Sequence, residues 1–455
     1  MATIILLFEN SLIGSDLACR EPVPGTVRVP DSTFQALRQL AFDVEGVDSL
    51  LTFFVQKGHE YIRLRNYIGL LTFSDGTQIE ILPKIALAPS EKEEELNQFD
   101  RAKRARAALL RMLRHLRHSP FKTFPNAHTS ATHLPLWDVF VTTFLDTTEP
   151  LVQQGVQRAY VSVESNERFW KGKFQATRQQ RENAYHAERL AVQYDALTAD
   201  VPPNRILKTT LLYLREQTSN VENQRRIRQL IWALDEVPVS GSVAVDLQAI
   251  KRAGRLFARY APALRWAEAL LAGKAFGVKT GTMRDLSLLF PMERVFEDHV
   301  AHGIRTYWPD SDRVTIQESS AHLVDEHIGI PKFKLRPDIL IRHHDRTLVF
   351  DTKWKQVNGR DRMGSYGIEQ ADLYQLYAYG KKYGADDLFL VYPASETFRE
   401  PLPVFSYDPG TRLHVVPFNL AAPLSDEVER LARYALTGKH SETETNAEAA
   451  DGSFW

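Results

Sequence analysis

Short apolar runs alternate with Gly, Asp and Pro over the first hundred residues of the chain. Such runs, rich in Ile, Val, Leu and Phe, are typical of strands bounded by turns. The pair Asp75-Gly76 separates two of them, and Asp-Gly accepts the positive φ angles of a tight hairpin turn. The pattern predicts a β-rich module over residues 1–98 with a hairpin around Asp75.

The hydrophobic period changes after an acidic run at Glu91 to Glu95. Leucines and a methionine at 109, 110, 112, 113 and 116 recur at helical spacing, between the arginines of the run 101–117. A mostly helical pattern continues to about Gly273, with a strand at 159–165 and a break at Pro202-Pro203. We therefore expect a mostly helical middle region over residues 99–283.

The third part of the chain mixes both periods. It predicts a helix over 285–307, three strands, a helix over 368–384, further strands and a last helix over 425–436. Helices flanking a mixed sheet make an α/β sandwich, which we expect over residues 284–437. The polar, acidic tail 438–455 is predicted to be disordered. The fold class is therefore α+β with several domains.

Composition narrows the class of protein. The 455 residues are 44% hydrophobic and 25% charged, an ordinary globular balance that excludes collagen-like, fibrous and wholly disordered proteins. The net charge of -1 shows no overall basic excess, and the lone Cys19 excludes an intrachain disulfide framework. No apolar stretch approaches the roughly 20 residues of a membrane span. We expect a cytoplasmic protein without a membrane partner.

Three charged residues stand out against the apolar strands of the third part. Asp338 precedes one apolar strand, and Asp351 and Lys353 end the next, with a charged turn at 343–346 between the strands. Antiparallel pairing brings Asp338 and Asp351 to the same end of this hairpin. Residues two apart on a strand share a face, so Lys353 joins them.

Two carboxylates and an ammonium suit metal-assisted phosphodiester hydrolysis. Mg²⁺ is commonly held by one or two carboxylates together with phosphate oxygens, so Asp338 and Asp351 are candidate ligands, with the backbone carbonyl of Thr352 as a third. Lys353 is the candidate for orienting water and stabilising negative charge. Because the three lie at strand ends, we expect them near solvent and their replacement to change stability by about 1 kcal/mol or less.

An isolated Asp-x-Lys is more often a surface ion pair than a catalytic motif, so the surrounding pattern matters. On the following helix, Gln375 and Tyr379 fall on one face, together with Asp372. On the preceding helix, Glu297 lies beside an apolar stripe. Gln375 and Tyr379 are predicted to support the site, whereas Glu297 either lies near the metal or is solvated.

These residues resemble the core of the PD-(D/E)xK nuclease superfamily. Pro337-Asp338, Asp351 and Lys353 match its signature, and Gln375 and Tyr379 match its Gln-x-x-x-Tyr helix. More narrowly, the chain is similar to the McrC family, the nuclease subunits of McrBC-type modification-dependent (type IV) restriction systems. The segments that carry this similarity are residues 66–85, 110–114, 155–174 and 201–214.

The resemblance implies both an activity and a partner. The C-terminal part is expected to be a restriction endonuclease-like domain that hydrolyses double-stranded DNA with Mg²⁺, in antiviral defence. An AAA+ GTPase motor subunit resembling McrB is expected to activate it and to contact the module 1–98. A phosphate-binding loop in this chain would place the motor here rather than in a separate subunit. The candidate loop 273–280 has Val278 where the second glycine is required.

Three hypotheses about the function of the whole chain stay open. The favoured one is a Mg²⁺-dependent endonuclease subunit driven by a GTP-hydrolysing motor. The main alternative is a catalytically inactive, nuclease-like adaptor that activates the motor, and the third is an RNA-processing nuclease without a motor. Basic runs at 101–117, 171–181 and 225–228 are either DNA contacts or solvated helix faces.

Overall fold

The computed structural model describes residues 3–17, 23–43, 51–73, 75, 77–84, 97–117, 134–272, 287–310, 313–407 and 410–437. The acidic run at 91–95, the segment 273–280, the tail 438–455 and Cys19 lie outside these ranges, so the expectations about them stay predictions. Within the ranges, none of the helices is both long and apolar enough to cross a membrane.

The chain folds as two compact units. Unit 1 comprises Met1–Lys84 and Leu116–Pro291, and unit 2 comprises Ile85–His115 and Met292–Trp455. The division into a module 1–98, a middle region 99–283 and a nuclease domain 284–437 stays a prediction. Mixed α/β structure with several sheets agrees with the coarse fold class expected from the sequence.

Strands and helices are numbered in chain order. The strands are β1 (Ile4–Phe8), β2 (Leu12–Ser15), β3 (Thr26–Val29), β4 (Leu51–Gln56), β5 (His59–Leu64), β6 (Tyr67–Thr72), β7 (Gln78–Leu82), β8 (Ala159–Glu167), β9 (Lys173–Phe174), β10 (Leu190–Thr198), β11 (Ser287–Pro291), β12 (Val314–Ile316), β13 (His322–His327), β14 (Ile330–Lys334), β15 (Ile339–His343), β16 (Arg346–Thr352), β17 (Asp387–Pro393), β18 (Phe405–Ser406) and β19 (Arg412–Phe418). The α-helices are α1 (Asp31–Asp43), α2 (Gln98–Leu113), α3 (Leu136–Gln153), α4 (Ala176–Glu182), α5 (Pro202–Gln217), α6 (Val221–Ala233), α7 (Val243–Ala253), α8 (Ala261–Ala272), α9 (Met292–Tyr307), α10 (Gln370–Tyr383) and α11 (Leu424–Thr437), and 3₁₀ turns span Gly254–Tyr260 and Ser365–Gly367.

Unit 1 is built on two small sheets, ordered β1-β7-β6-β11 and β3-β2-β5-β4, and on a third, β8-β10-β9. The hairpin predicted around Asp75 is confirmed, because β6 and β7 pair antiparallel with Thr72 opposite Gln78. Helix α1 buries Phe34 and Leu37 against the first two sheets. This helix, with apolar residues at i, i+3 spacing, was not predicted within the β-rich module.

A close backbone contact fixes the edge of the first sheet. Gly69 of β6 lies opposite Leu289 of β11 and has φ of +127°. A Cβ built at Gly69 would lie 1.9 Å from the carbonyl oxygen of Leu288, so only glycine fits. The sequence had placed residues 287–291 inside a helix beginning at 285. They form strand β11 instead, and the helix begins at Met292.

Helices and the β8-β10-β9 sheet make up the rest of unit 1. The predicted strand at 159–165 is confirmed within β8, which pairs antiparallel with β10. The predicted break at Pro202-Pro203 is the start of α5, where proline is favoured because its missing N–H has no helical partner.

Unit 2 contains the predicted α/β sandwich. Its main sheet has the order β12-β15-β16-β17-β19-β18, in which β15 and β16 form a hairpin and β16, β17 and β19 run parallel. Strand β17 is buried along its whole length, as expected when both faces of a parallel sheet are covered. Helix α10 is the crossover between β16 and β17.

The two faces of this sheet have different covers. Val349, Leu388 and Leu390 pack with Leu376 and Tyr379 of α10 on one face. Side chains alternate along a strand, so their neighbours turn to the other face. There Phe350 stacks on Phe389 at 4.4 Å and Phe389 on His414 at 4.7 Å, covered by Trp308 after α9 and Tyr434 of α11. Asp351 is in phase with Val349 and so faces α10.

Candidate functional site

The β15–β16 hairpin brings the two predicted carboxylates together. Ile339 pairs with Phe350, so Asp338 and Asp351 lie opposite each other one residue beyond that pair. The backbone N–H of Thr352 donates to Oδ2 of Asp338 at 2.7 Å, and the Thr352 hydroxyl donates to the same oxygen at 2.8 Å. The convergence expected from antiparallel pairing is confirmed, and Thr352 fixes the orientation of one carboxylate.

Both carboxyl groups lie inside the protein rather than near solvent. Asp351 is only 2% exposed, and Asp338 is half-buried as a residue with its carboxyl group turned inward. Burial raises the pKa of Asp338, and the negative charges of Asp351 and Glu297 raise it further. Burial also raises the pKa of Asp351, against the opposing effect of the Lys353 ammonium. The expectation that Asp351 lies near solvent was therefore wrong.

Lys353 contacts one carboxylate of the pair, that of Asp351, from the same face of the sheet. Its Nζ lies 2.8 Å from Oδ2 of Asp351 and 3.7 Å from Oδ1 of Asp372, and it donates to Oε1 of Gln375 at 3.0 Å. Burial works to lower the pKa of Lys353, but the charges of Asp351, Asp372 and Asp338 outweigh it and raise the pKa. The side chain therefore remains an ammonium.

A relay of hydrogen bonds holds Lys353 in place. Lysine can only donate, so Oε1 of Gln375 faces it and Nε2 donates to the hydroxyl of Tyr379 at 2.7 Å. The Tyr379 hydroxyl in turn donates to the carbonyl of Arg336 at 3.2 Å, just before Pro337-Asp338. Burial and the charge of Asp351 raise the pKa of Tyr379 to about 12, so the hydroxyl keeps its proton. The structure thus places Gln375 and Tyr379 between Lys353 and the strand that carries Asp338.

Glu297 lies on the other side of the carboxylates. It is half-buried on α9, and its Oε1 accepts from Nε2 of Gln317 at 2.6 Å. The Gln317 backbone N–H donates to the carbonyl of Asp338 at 2.8 Å, and its side chain also accepts from Arg336. The charge of Glu297 reaches both aspartates. Of the two alternatives for Glu297, the position near the carboxylates agrees with the structure.

The donor atoms fit a hard divalent cation. Oδ2 of Asp351 is buried, and the ammonium of Lys353 lies 2.8 Å from it. The charge of Asp351 raises the pKa of Asp338, and a cation between the two carboxyl groups would relieve this repulsion. Among the described residues no three His, Cys, Asp or Glu side chains are already arranged to hold a metal ion. Mg²⁺ needs only one or two protein carboxylates beside water and phosphate oxygens, and its binding at Asp338 and Asp351 stays a prediction.

Sequence reasoning missed two residues of this site. Lys355 contacts Asp372 Oδ2 at 3.0 Å and Glu369 at 2.9 Å, and its position two residues after Lys353 was a signal for the same face. Gln317 has φ of +52°, which is uncommon for a residue other than glycine, and nothing in the local sequence announced it. The carbonyl of Thr352 stays a predicted ligand.

The basic runs of the middle region are partly neutralised within the fold. Arg226 pairs with Asp146 at 2.6 Å and with Glu149 at 2.7 Å, and Arg225 pairs with Glu222 at 2.6 Å. These ion pairs favour a structural role for the run at 225–228.

Comparisons with known proteins identify relatives. A family model described as McrBC 5-methylcytosine restriction system component matches residues 62–393, well over half of the chain. A chain of a half-complex refined from a tetradecameric assembly of Thermococcus gammatolerans McrB AAA+ hexamers with bound McrC is 16% identical, with a TM-score of 0.66 over 95% of this chain and 100% of that one. A chain of the cryo-EM structure of the Thermococcus gammatolerans McrBC complex is 18% identical, with a TM-score of 0.45 over 68% of this chain and 89% of that one. No curated protein matches the chain.

Proposed function

The chain belongs to the McrBC 5-methylcytosine restriction system component family as a McrC-type subunit, and we propose from that premise that it is the subunit that cuts DNA. The reaction is Mg²⁺-dependent hydrolysis of phosphodiester bonds in double-stranded DNA. The observation that carries the proposal is the buried pair Asp338 and Asp351, with the ammonium of Lys353 at 2.8 Å from one of them. A surface ion pair would not bury a second carboxylate beside the first.

Each side chain has a defined part in this proposal. Asp338 and Asp351 would hold the metal ion, and Thr352 keeps Oδ2 of Asp338 in place through two hydrogen bonds. A metal ion held there would supply charge neutralisation at the phosphate and activation of water. Lys353 presents its proton-bearing Nζ to the attacking water or to a phosphate oxygen, in a position fixed by Gln375. The proposal includes a PD-(D/E)xK nuclease fold around these residues, in keeping with their resemblance to the signature of that superfamily.

The partner in this proposal is an AAA+ GTPase motor resembling McrB. The similar archaeal chain belongs to an assembly described as McrB AAA+ hexamers with bound McrC. The motor would bind and translocate DNA and activate cleavage by this subunit, and the module 1–98 would contact it. The target is DNA that carries modified cytosine, in keeping with the 5-methylcytosine restriction system of the family.

A reconstituted complex with the motor of the same source tests whether the subunit is a nuclease or an adaptor. Asp351→Ala should lower DNA cleavage by more than about a hundredfold, since metal-assisted stabilisation is worth several kcal/mol. GTP turnover should be unchanged. The matched control is Asp325→Ala, which removes a surface aspartate that pairs with Lys382 of α10 at 2.7 Å. Cleavage that survives Asp351→Ala at the level of this control would make the chain an adaptor.

A further inference from the structure

The loop between β8 and β9 presents aromatic side chains to solvent in unit 1. Phe169 is 64% exposed and Trp170 is 65% exposed, and both stand beside basic residues in the sequence from Arg168 to Lys173. We call residues 168–173 the Trp170 platform. Single exposed apolar side chains are common, whereas adjacent ones such as these are one mark of a binding surface.

The platform is fixed rather than loosely extended. The indole N–H of Trp170 donates to the carbonyl of Gly172 at 3.1 Å, and its ring stacks on Phe174 at 5.5 Å with an interplanar angle of 22°. Gly172 has φ of +68°, and a Cβ there would lie 2.3 Å from the carbonyl oxygen of Gln193. The backbone therefore passes close to β10, and the indole is held by Phe174 and the carbonyl of Gly172 while about two thirds of the residue stays exposed.

Three basic residues flank Trp170 in the sequence of the platform, Arg168, Lys171 and Lys173. Arg168 and Lys173 are exposed and have no ion pair among the described residues, and the ammonium of Lys171 lies 3.7 Å from the centre of the Tyr194 ring. The nearest acid in sequence, Glu167, accepts hydrogen bonds from Ser165 at 2.8 Å and from Tyr194 at 3.2 Å. The platform thus combines a free aromatic face with three cations over six residues.

We infer that the Trp170 platform binds single-stranded nucleic acid, by stacking an unpaired base on Trp170 and contacting phosphates with Arg168, Lys171 and Lys173. Base stacking on an aromatic side chain beside a cationic groove is how proteins hold single strands without reading their sequence. In a duplex the bases are stacked on one another and offer no free face to Trp170, so a duplex is expected to bind less tightly. This site belongs to unit 1, whereas the carboxylate pair belongs to unit 2, and it does not depend on the proposed cleavage.

Fluorescence anisotropy with the purified full chain tests this inference. The probes are labelled oligothymidylate and oligouridylate of about 15 nucleotides and a labelled duplex hairpin of equal charge. A chelator removes divalent cations, so that the probes are not cleaved during the measurement. Trp170→Ala should weaken binding of both single strands about 5- to 150-fold, whereas Trp170→Phe should retain most of it. Lys173→Gln should lower the slope of log affinity against log salt by about 0.7. The matched control is Trp232→Ala, since Trp232 of α6 is 82% exposed in the same unit, and it should leave affinity unchanged.

Two results would overturn the inference. One is that Trp170→Ala and Trp232→Ala bind the single strands equally well. The other is that Trp170→Ala leaves single-strand affinity intact but weakens association with the AAA+ partner, which would make the platform a protein-binding surface. Dependence on Trp170 for only one of the two single strands would support the inference and identify that strand as the ligand. Neither overturning result would touch the proposed nuclease, because Asp351→Ala tests that separately.

Discussion

Asp338→Asn should stabilise the metal-free protein at neutral pH, although it removes a proposed catalytic residue. The reason is that burial and the charges of Asp351 and Glu297 raise the pKa of Asp338 in the folded protein. Folding at neutral pH therefore requires this carboxyl group to take up a proton that the unfolded chain does not hold. An asparagine of the same shape carries no such cost and still offers an oxygen to Thr352.

The magnitude follows from the two pKa values. The pKa rises from 3.8 to about 8 on folding, and between these values the folded protein binds one proton more than the unfolded chain. The free energy of unfolding therefore falls as pH rises, by about 1.4 kcal/mol per pH unit. Between about pH 4 and pH 7 the accumulated cost is on the order of 4 kcal/mol, which is the gain expected for Asp338→Asn at pH 7.

Denaturant unfolding of the metal-free protein and its variant, compared at each pH, measures this effect. The gain should vanish near pH 4, grow as pH rises and level off above about pH 8. Asp387→Asn is the matched control with the opposite sign. Burial alone would raise the pKa of Asp387, but hydrogen bonds from His414 and Arg346 and the charge of Arg412 lower it to about 2. Its carboxylate therefore stabilises the fold above its ordinary pKa and loses this effect only as pH falls through about 2. Destabilisation by Asp338→Asn similar to that of the control would refute the proposed repulsion between the carboxylates.

Three further changes test the supports of the site and of the fold. Lys353→Gln should lower cleavage by the reconstituted complex about 10²–10³-fold, while Mn²⁺ binding by the chain stays intact; loss of both would assign the lysine to metal binding. Tyr379→Phe removes the hydroxyl that ends the relay of hydrogen bonds from Lys353 and should lower cleavage about 10–100-fold in the same assay. Full activity of this variant would show that the relay does not position the lysine. Gly69→Ala should destabilise unit 1 by about 1–3 kcal/mol or more in thermal unfolding, because its Cβ would meet the carbonyl of Leu288. Gly241→Ala is the control, since its Cβ meets nothing within 4 Å and it should not destabilise the protein. Equal melting temperatures of the two variants would contradict the close approach of β6 and β11.

The parts of the site that the sequence predicted are those set by local geometry. A hairpin with a short turn has only one natural pairing, so Asp338 and Asp351 could be placed opposite each other before the structure was known. The same holds for Gln375 and Tyr379, whose spacing of four residues puts them on one face of α10. Such placements follow from the side-chain period alone, which is 2.0 residues in a strand and 3.6 residues in an α-helix.

The parts that the sequence did not predict depend on residues distant in the chain. The run at 287–291 is apolar and short, so its pattern fits a helix as well as a strand, and only pairing with β6, more than 200 residues earlier, decides for a strand. Burial of Asp351 likewise results from the cover supplied by α10, which no local pattern around Asp351 records. Gln317 reaches the site through a positive φ angle that its sequence neighbours do not require.

Binding of Mn²⁺, used as a probe for Mg²⁺, tests most directly whether Asp338 and Asp351 together hold a divalent cation. Titration of the metal-free full chain, followed by the electron paramagnetic resonance signal of free Mn²⁺, counts bound ions without any need for cleavage or for the motor. One class of site is expected in the unaltered chain, and it should be lost in both Asp338→Asn and Asp351→Asn and kept in Asp325→Asn. Equal Mn²⁺ binding by all four proteins would contradict this expectation.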